Sequence, residues 1–400
     1  MDFAVPERMQ VILEMTREFM EKEVLPLEPH FVGRKFRDMA PEIKRCRDMV
    51  KKMELWGPQI PRDLGGMGLT LVEHALMSEV LGESPLGHLI FGCQAPDAGN
   101  IEILEKYGTE QQREEFLAPL AKGEIRSCFS MCEPEFAGSN PTEMATTAVR
   151  DGNQWVINGH KWFTSSADGA RFAIVMAVTD PDAPSYLRAS MIIVPTDTPG
   201  FHLVRNVSVM GHAGDDYASH GEIMYRDCRV PAENLLGPQG QGFVIAQERL
   251  GPGRIHHCMR WIGICNRSFG MMCRRVTERR VGGGKSLSQK QIMQEWIAEC
   301  RAEIHAARLM VLHAAWKIEN EGQYAAREEV SMIKFFVAPI MLKVVDRAIQ
   351  VHGALGVSDD TILSFFYRQE RAARIYDGPD EVHKVVLSRR VLRDYGGIQT

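Results

Sequence analysis

Four hundred residues, 44% of them hydrophobic and 25% charged, exceed what one core usually organises, so two or three domains are expected. A formal net charge of −5 excludes the broad basic field by which proteins hold nucleic acid. No apolar run approaches the ~18 residues of a membrane span, and the early acids Asp2 and Glu7 do not fit a signal peptide, so a soluble, non-secreted protein without integral membrane association is expected.

In chain order, Met9, Ile12, Met15, Phe19 and Val24 recur at three-to-five-residue steps and predict a helix over 6–24 with one buried face. Ile43, Cys46, Met49, Val50 and Met53 predict a second over 41–56, broken by Pro58, Pro61 and the glycine-rich stretch 65–68. Thr70 offers a cap for a helix through Leu81, and Gly108-Thr109 stops one helix and starts another. Together these give an N-terminal α-helical domain over 1–124.

Near Ile125 the pattern changes. Short β-rich runs surround two turn signals, Asp151-Gly152-Asn153 and Asn158-Gly159, and predict an antiparallel meander. Further strands are expected at 172–178, 190–194, 201–204 and 222–225, making a middle β-sandwich or barrel over 125–238. Helical periodicity then returns over 242–280, 289–320, 325–351, 359–367 and 380–395, as a C-terminal α-helical bundle over 239–400. The fold class is α+β, with the order helical domain, antiparallel β domain, helical bundle.

Nine cysteines without a CxxC pair read as free thiols of a reducing compartment. Gly282-Gly283-Gly284-Lys285-Ser286 lacks the first glycine of a phosphate loop, because position 279 is Arg. His256-His257 and His352 lie inside apolar helical patterns and read as structural, so no metal is assigned. The stretch Arg374-Ile375-Tyr376-Asp377-Gly378-Pro379-Asp380-Glu381-Val382-His383 puts a carboxylate on a tight turn between two helices. Taken alone it fits best an ordinary helix end with turn chemistry; the other reading is a carboxylate aimed into a cleft to take a proton from carbon.

Four motif blocks, together with the domain order, resemble the acyl-CoA dehydrogenase family across nearly the whole chain. Residues 129–140, Phe-Ser-Met-Cys-Glu-Pro-Glu-Phe-Ala-Gly-Ser-Asn, are similar to its T-E-P-x-A-G-S-D flavin segment, one residue longer and with Cys132 for the usual Thr. Residues 155–165 resemble its I-N-G-x-K-x-W-I-T hairpin, residues 350–357 its Q-x-x-G-G-x-G, and Tyr376-Asp377-Gly378-Pro379 its Y-E-G-T. Asp-Gly-Pro-Asp-Glu-Val-His is closest to the branch of family members ten and eleven, whose kinase-like domain is not expected here.

The resemblance implies FAD as cofactor and an acyl-CoA as substrate. Backbone groups of Met131 and Cys132 are expected at the flavin edge, with Phe163 and Ser165 over the ring and at N5. Ser139 is placed near the flavin diphosphate or the coenzyme A phosphates. Arg279 is expected on the diphosphate across a subunit interface, and Gln350, Gly353 and Ala354 at the partner's adenosine half. Pro379 and Glu381 go with the cofactor, and Arg254, Tyr376 and Gly378 with the substrate. Without the family pattern, Phe163 also fits a core strand aromatic, Arg279 a solvated surface residue and Arg254 a helix ion pair.

In the reaction so implied, Asp377 removes the α proton while a hydride passes to flavin N5, giving a trans-2-enoyl-CoA. Hydrogen bonds from a ribityl hydroxyl and the residue 377 N–H would polarise the thioester. Position 253, where some branches carry the base beside the Arg254 equivalent, is glycine. Electron-transferring flavoprotein is the expected electron acceptor, and a homodimer or a homotetramer built as a dimer of dimers the expected assembly. A cytoplasmic location is expected in a bacterium, or the mitochondrial matrix after loss of a transit peptide. Two other readings stay open: an oxygen-using oxidase of the same superfamily, nitroalkane oxidase-like or acyl-CoA oxidase-like, and a non-catalytic coenzyme A-binding protein.

Overall fold

Capping chemistry and buried stripes set the helices of this computed structural model, which describes residues 4–397. Those of eight or more residues are α1 (Glu7–Phe19), α2 (Ala40–Lys52), α3 (Leu71–Leu81), α4 (Asp97–Tyr107), α5 (Gly242–Glu278), α6 (Gln291–Glu321), α7 (Arg327–His352), α8 (Leu363–Glu370) and α9 (Asp380–Asp394). Thr70 opens α3 with a capping box: its hydroxyl accepts the Glu73 N–H at 3.3 Å while the Thr70 N–H reaches the Glu73 carboxylate at 3.1 Å. Thr109 makes the same reciprocal pair with Gln112 directly after α4. Among the described residues no helix is long and apolar enough to cross a membrane.

The chain divides into two compact units. One holds the segment up to Arg34, Leu69–Ile90 and everything from Gly251; the other holds Lys35–Gly68 and Phe91–Leu250. In the first unit α7 is central, packing against α6, α8 and α9. Its Ile333, Val337, Met341, Val344, Val345 and Ala348 are fully buried at helical spacing, the larger of these side chains each contributing about 1.5–3 kcal/mol of apolar burial.

The second unit is built on one sheet of β1 (Ser127–Ser130), β2 (Thr147–Asp151), β3 (Gln154–Ser165), β4 (Phe172–Val178), β5 (Ala189–Pro195), β6 (Phe201–Asn206), β7 (His220–Pro231) and β8 (Leu235–Leu236). Strand order is β6-β7-β3-β2-β4-β5-β8, with β1 on β4. The β1–β4 pair is parallel, as is the single β2–β4 contact, whereas the other pairs are antiparallel. The sheet is therefore mixed, and a single hydrogen-bonded layer stands where a sandwich or barrel was expected. Buried residues cover both its faces. Phe172, Ile174 and Met176 of β4 enter a cluster with Leu104, Phe116 and Ile193, while Ala173, Val175 and Ala177 enter another with Trp155, Ile157 and Tyr225. That double burial explains why β4 reads as one continuous apolar run.

Asn158-Gly159 is not a turn. β3 runs straight through it, with a register shift against β7 between Ile157 and Gly159. A Cβ on Gly159 would lie 2.2 Å from Thr146 Oγ1, so the glycine serves close packing. The Asn158 amide is held by Asp227, whose N–H it accepts at 2.8 Å. The hairpin turn is the other signal, where Gly152 takes φ +58° between β2 and β3.

Candidate active site

After α8 the chain makes a 3₁₀ turn, Arg371–Arg374, and reaches Asp377 at φ +55° and Gly378 at φ +97° before α9 begins. A non-glycine residue in the left-handed region is uncommon and needs support. The Asp377 carbonyl accepts hydrogen bonds from Arg254 Nε and His383 Nε2, both at 3.1 Å. Buried Lys334 of α7 donates to the carbonyls of Ala373 at 2.7 Å and Gly378 at 3.2 Å, clasping both ends of the turn. Gly378 is required twice over, because at its positive φ an added Cβ would also lie 2.7 Å from His383 Nε2.

The Asp377 side chain, 20% exposed, places Oδ2 3.2 Å from Nε2 of His257. Arg254 and His257 stand three residues apart on α5, so one helix face meets both the carbonyl and the carboxylate of Asp377. Beside them Tyr376 OH contacts Arg260 Nη2 at 2.9 Å, Trp261 Nε1 at 3.1 Å and Glu370 Oε2 at 3.2 Å, and Arg260 is paired with Glu370. Burial pushes the Tyr376 phenol well above its ordinary range, with the Glu370 charge adding to it. Burial also lowers Arg254 and Lys334, an effect the Asp377 carboxylate offsets in part. His383 is pushed down by burial to about 4, so at neutral pH it is the uncharged donor its bond to the Asp377 carbonyl requires.

The second unit carries Met131, Cys132, Ser139, Phe163 and Ser165. Met131 and Cys132 follow β1 and are half-buried. The Met131 carbonyl accepts from Lys161 Nζ at 2.8 Å and the Cys132 carbonyl from the Trp162 N–H at 3.0 Å. Lys161 also meets Glu133 at 2.9 Å, and Glu133 takes the N–H groups of Ala145 and Thr146. Phe163 is 43% exposed at φ +48°, where the β3–β7 register shifts again. Two residues on, Ser165 Oγ is 2.8 Å from His220 Nδ1, whose protonated form burial disfavours. Ser139 lies in an exposed loop, and a recess beside it is lined by Met131, Cys132, Phe136, Gly138 and Met144.

Arg279 is exposed at the end of α5, and Glu381 on the first turn of α9, which Pro379 precedes. Gln350 and Ala354 are exposed around Gly353, which closes α7 at φ +65°, ψ −137°, a conformation essentially reserved for glycine. None of Arg279, Gln350, Gly353 and Ala354 has a described hydrogen bond to the Asp377 cluster. Tyr376, expected on the substrate, gives its hydroxyl to the Arg260–Glu370–Trp261 group. His257, read from the sequence as structural, meets the Asp377 carboxylate, His383 belongs to the quoted motif but was given no role, and Lys334 and His220 were missed. For Lys334 the only sequence signal was polarity inside an apolar helical pattern.

Family profiles match in chain order: acyl-CoA dehydrogenase N-terminal domain over 6–124, middle domain over 128–228 and C-terminal domain over 240–392. FadE2 of Mycobacterium tuberculosis is 44% identical over 401 residues, covering 98% of this chain and 97% of that protein. The chain belongs to the acyl-CoA dehydrogenase family. Acyl-CoA dehydrogenase family member 11 of Gallus gallus is 42% identical over 396 residues, 96% of this chain but 50% of that protein, so the chain spans about half the length of that relative. The solved butyryl-CoA dehydrogenase of Megasphaera elsdenii superposes with a TM-score of 0.85 at 27% identity, covering 98% of this chain and 100% of that one. A solved structure from Mycobacterium abscessus reaches a TM-score of 0.93 at 38% identity, covering 98% and 100%.

Acyl-CoA dehydrogenases are FAD-dependent oxidoreductases, and the residues of the second unit fit that cofactor. Phe163 presents a 43%-exposed aromatic face on β3, and the Ser165 hydroxyl two residues further, paired with His220 Nδ1, adds a polar group of the kind a flavin edge takes.

Proposed function

We propose that this acyl-CoA dehydrogenase family member oxidises an acyl-CoA thioester to the trans-2-enoyl-CoA, with Asp377 as the base that removes the α proton. The observation carrying this reading is the tethered left-handed turn. Arg254 and His383 fix the Asp377 carbonyl, so the carboxylate is aimed by the backbone, independently of side-chain length. This matters because Asp reaches about 1.5 Å less far than Glu, roughly one C–C bond. Gly253 brings no carboxylate to the alternative position on α5.

Met131, Cys132, Phe163 and Ser165 would hold the isoalloxazine of FAD, which when bound supplies the acceptor for the β hydrogen as hydride. Ser139 and Arg279 are proposed for phosphate contacts, and Gln350, Gly353 and Ala354 for the cofactor of a second subunit. With its Nε engaged by Asp377, Arg254 is assigned to orienting the base. The three domains 1–124, 125–238 and 239–400 and electron-transferring flavoprotein as acceptor belong to the same reading.

Mixing FAD-loaded protein with a panel of acyl-CoA thioesters in a stopped-flow spectrometer tests it. Flavin bleaching with slow recovery in air is expected; rapid peroxide release would indicate an oxidase instead. Asp377→Asn should lose bleaching by at least a thousandfold while retaining FAD. Bleaching by Asp377→Asn near the wild-type rate would remove Asp377 from the mechanism.

A further inference from the structure

His160 of β3 stands between two carboxylates. Its Nδ1 lies 2.7 Å from Oε1 of Glu135, in the loop after β1, and its Nε2 lies 3.0 Å from Oε1 of Glu222 on β7. A carboxylate only accepts hydrogen bonds, so each contact needs a nitrogen that donates, and an imidazole carries two N–H groups only when protonated. We propose that His160 is a positioning residue built as a proton-operated clasp: as an imidazolium it ties the loop of Ser139 to the sheet, and as a neutral ring it lets one of the two acids go. This rests on the reading of that loop as a cofactor contact.

The loop is anchored at its ends and loose between them. Glu133 accepts the N–H groups of Ala145 and Thr146 and pairs with Lys161. Further in, the bonds are internal, with the Asn140 N–H on the Ala137 carbonyl at 2.9 Å and the Asn140 amide on Glu143 at 3.0 Å. Among the described residues, Glu135 to His160 is the hydrogen bond that carries 135–140 to the sheet. Where the family pattern has a single residue between Pro and Ala-Gly-Ser, this chain has Glu135 and Phe136, so the outer arm of the clasp comes with the added length. Phe136 and Gly138 of the same stretch line the recess beside Met131 and Cys132, so a change in the tie reaches that recess.

The two arms are unequal. Arg205 Nε holds the other oxygen of Glu222 at 2.7 Å, so Glu222 keeps a partner when the ring loses its charge. Glu135 is 55% exposed and is the arm that exchanges its bond for water.

The groups around the ring favour its charged form. β7 supplies Glu222, β6 supplies Arg205 and, opposite Met224 in register, His202, and the loop supplies Glu135. Lys161, next on β3, belongs to the other face and is engaged by Glu133. Burial disfavours the imidazolium, but the hydrogen bonds and charges of Glu135 and Glu222 outweigh it and raise His160 above its ordinary range. A raised histidine contributes fully below its unfolded pKa of about 6.5 and loses that contribution as pH rises through the folded value, so the clasp is closed in acid and opens in base.

FAD dissociation constants of the full chain, read by flavin fluorescence from pH 6 to pH 8.5, test this. Wild type should weaken about fivefold over that range, the order expected of one partly exposed charge-assisted hydrogen bond. His160→Gln should bind at the weaker level throughout. Glu135→Gln should bind tightly throughout, because its amide donates to Nδ1 of a neutral ring whose Nε2–H still holds Glu222. In ¹⁵N-histidine spectra recorded without FAD, one resonance should titrate above about 6.5, vanish in His160→Gln and titrate lower in Glu135→Gln. A His160 resonance titrating at or below that value, or a Glu135→Gln profile that follows pH as wild type does, overturns the clasp. A high titration that shifts in Glu135→Gln, with FAD affinity indifferent to pH in wild type, would instead remove the cofactor reading of the loop beneath it.

Discussion

Asp377 keeps its left-handed backbone because two side chains hold its carbonyl and a buried lysine bridges the turn around it. The next residue makes that hold testable. Gly378→Ala would put a methyl group at φ +97° and 2.7 Å from His383 Nε2. A stability loss of about 1–3 kcal/mol is expected, visible as a lower urea midpoint, together with slower flavin bleaching as the carboxylate is displaced. An unchanged midpoint would mean that the turn relaxes freely. The turn itself was legible in the sequence, since Asp-Gly-Pro is locally encoded. Its supports were not. His257 and Lys334 sit in segments whose apolar periodicity describes a buried helix face, and nothing local tells which polar member of that face meets a loop more than forty residues away.

At the scale of elements, β3 carries both a misleading signal and a buried ion pair. Asn-Gly favours a hairpin when nothing else competes for the glycine, but Thr146 packs where a Gly159 side chain would be, and β7 pairs across it. Long-range packing overrode local turn preference, whereas Asp-Gly at 151–152 had no such competitor. Lys161 on this strand and Glu133 in the loop after β1 form that pair, with side chains 0% and 2% exposed. Burial raises the Glu133 carboxyl, but Lys161, Thr146 and the Ala145 and Thr146 N–H groups outweigh it and hold the pKa below its ordinary 4.5. A carboxylate depressed in the folded state contributes stability above the unfolded pKa and loses it as pH falls through the folded one. Glu133→Gln should therefore cost about 3–5 kcal/mol at pH 7, and the gap to wild type should shrink below about pH 4.5. Urea unfolding at pH 7 and pH 4 measures both. A gap independent of pH would deny the ion pair its role.

For the molecule as a whole, the histidines set the acid limit. Burial lowers His74 and His88 well below 6.5, His256 to about 3 and His383 to about 4. All four belong to the first unit. Between those lowered values and about 6.5 the unfolded chain binds protons that the folded chain refuses, so stability rises with pH and declines as pH drops below about 6.5. Each contributes at most about 1.4 kcal/mol per pH unit across its own window. Urea midpoints should thus fall between pH 7 and pH 5, a decline that Glu28 and Glu102 offset in part because burial raises both to about 7 and the folded chain takes up their protons first, and His74→Phe should flatten it further. A flat midpoint over that range would place these imidazoles in contact with water. The helical, β, helical order was readable from periodicity because it needs only the change of repeat from 3.6 to 2. The single mixed sheet was not, since strand partners are chosen at a distance. In β4 that choice rests on a code of size: large side chains on one face, small ones on the other. A slip of one residue against β1 would exchange the two rows, crowding one layer and hollowing the other, and would carry the start of the Met131–Cys132 segment about 3.3 Å along the strand axis. The alternation of bulk in seven residues of β4 is thus a ruler for a loop forty positions earlier in the chain, and a mutation that evens out those volumes should blur cofactor affinity before it unfolds anything.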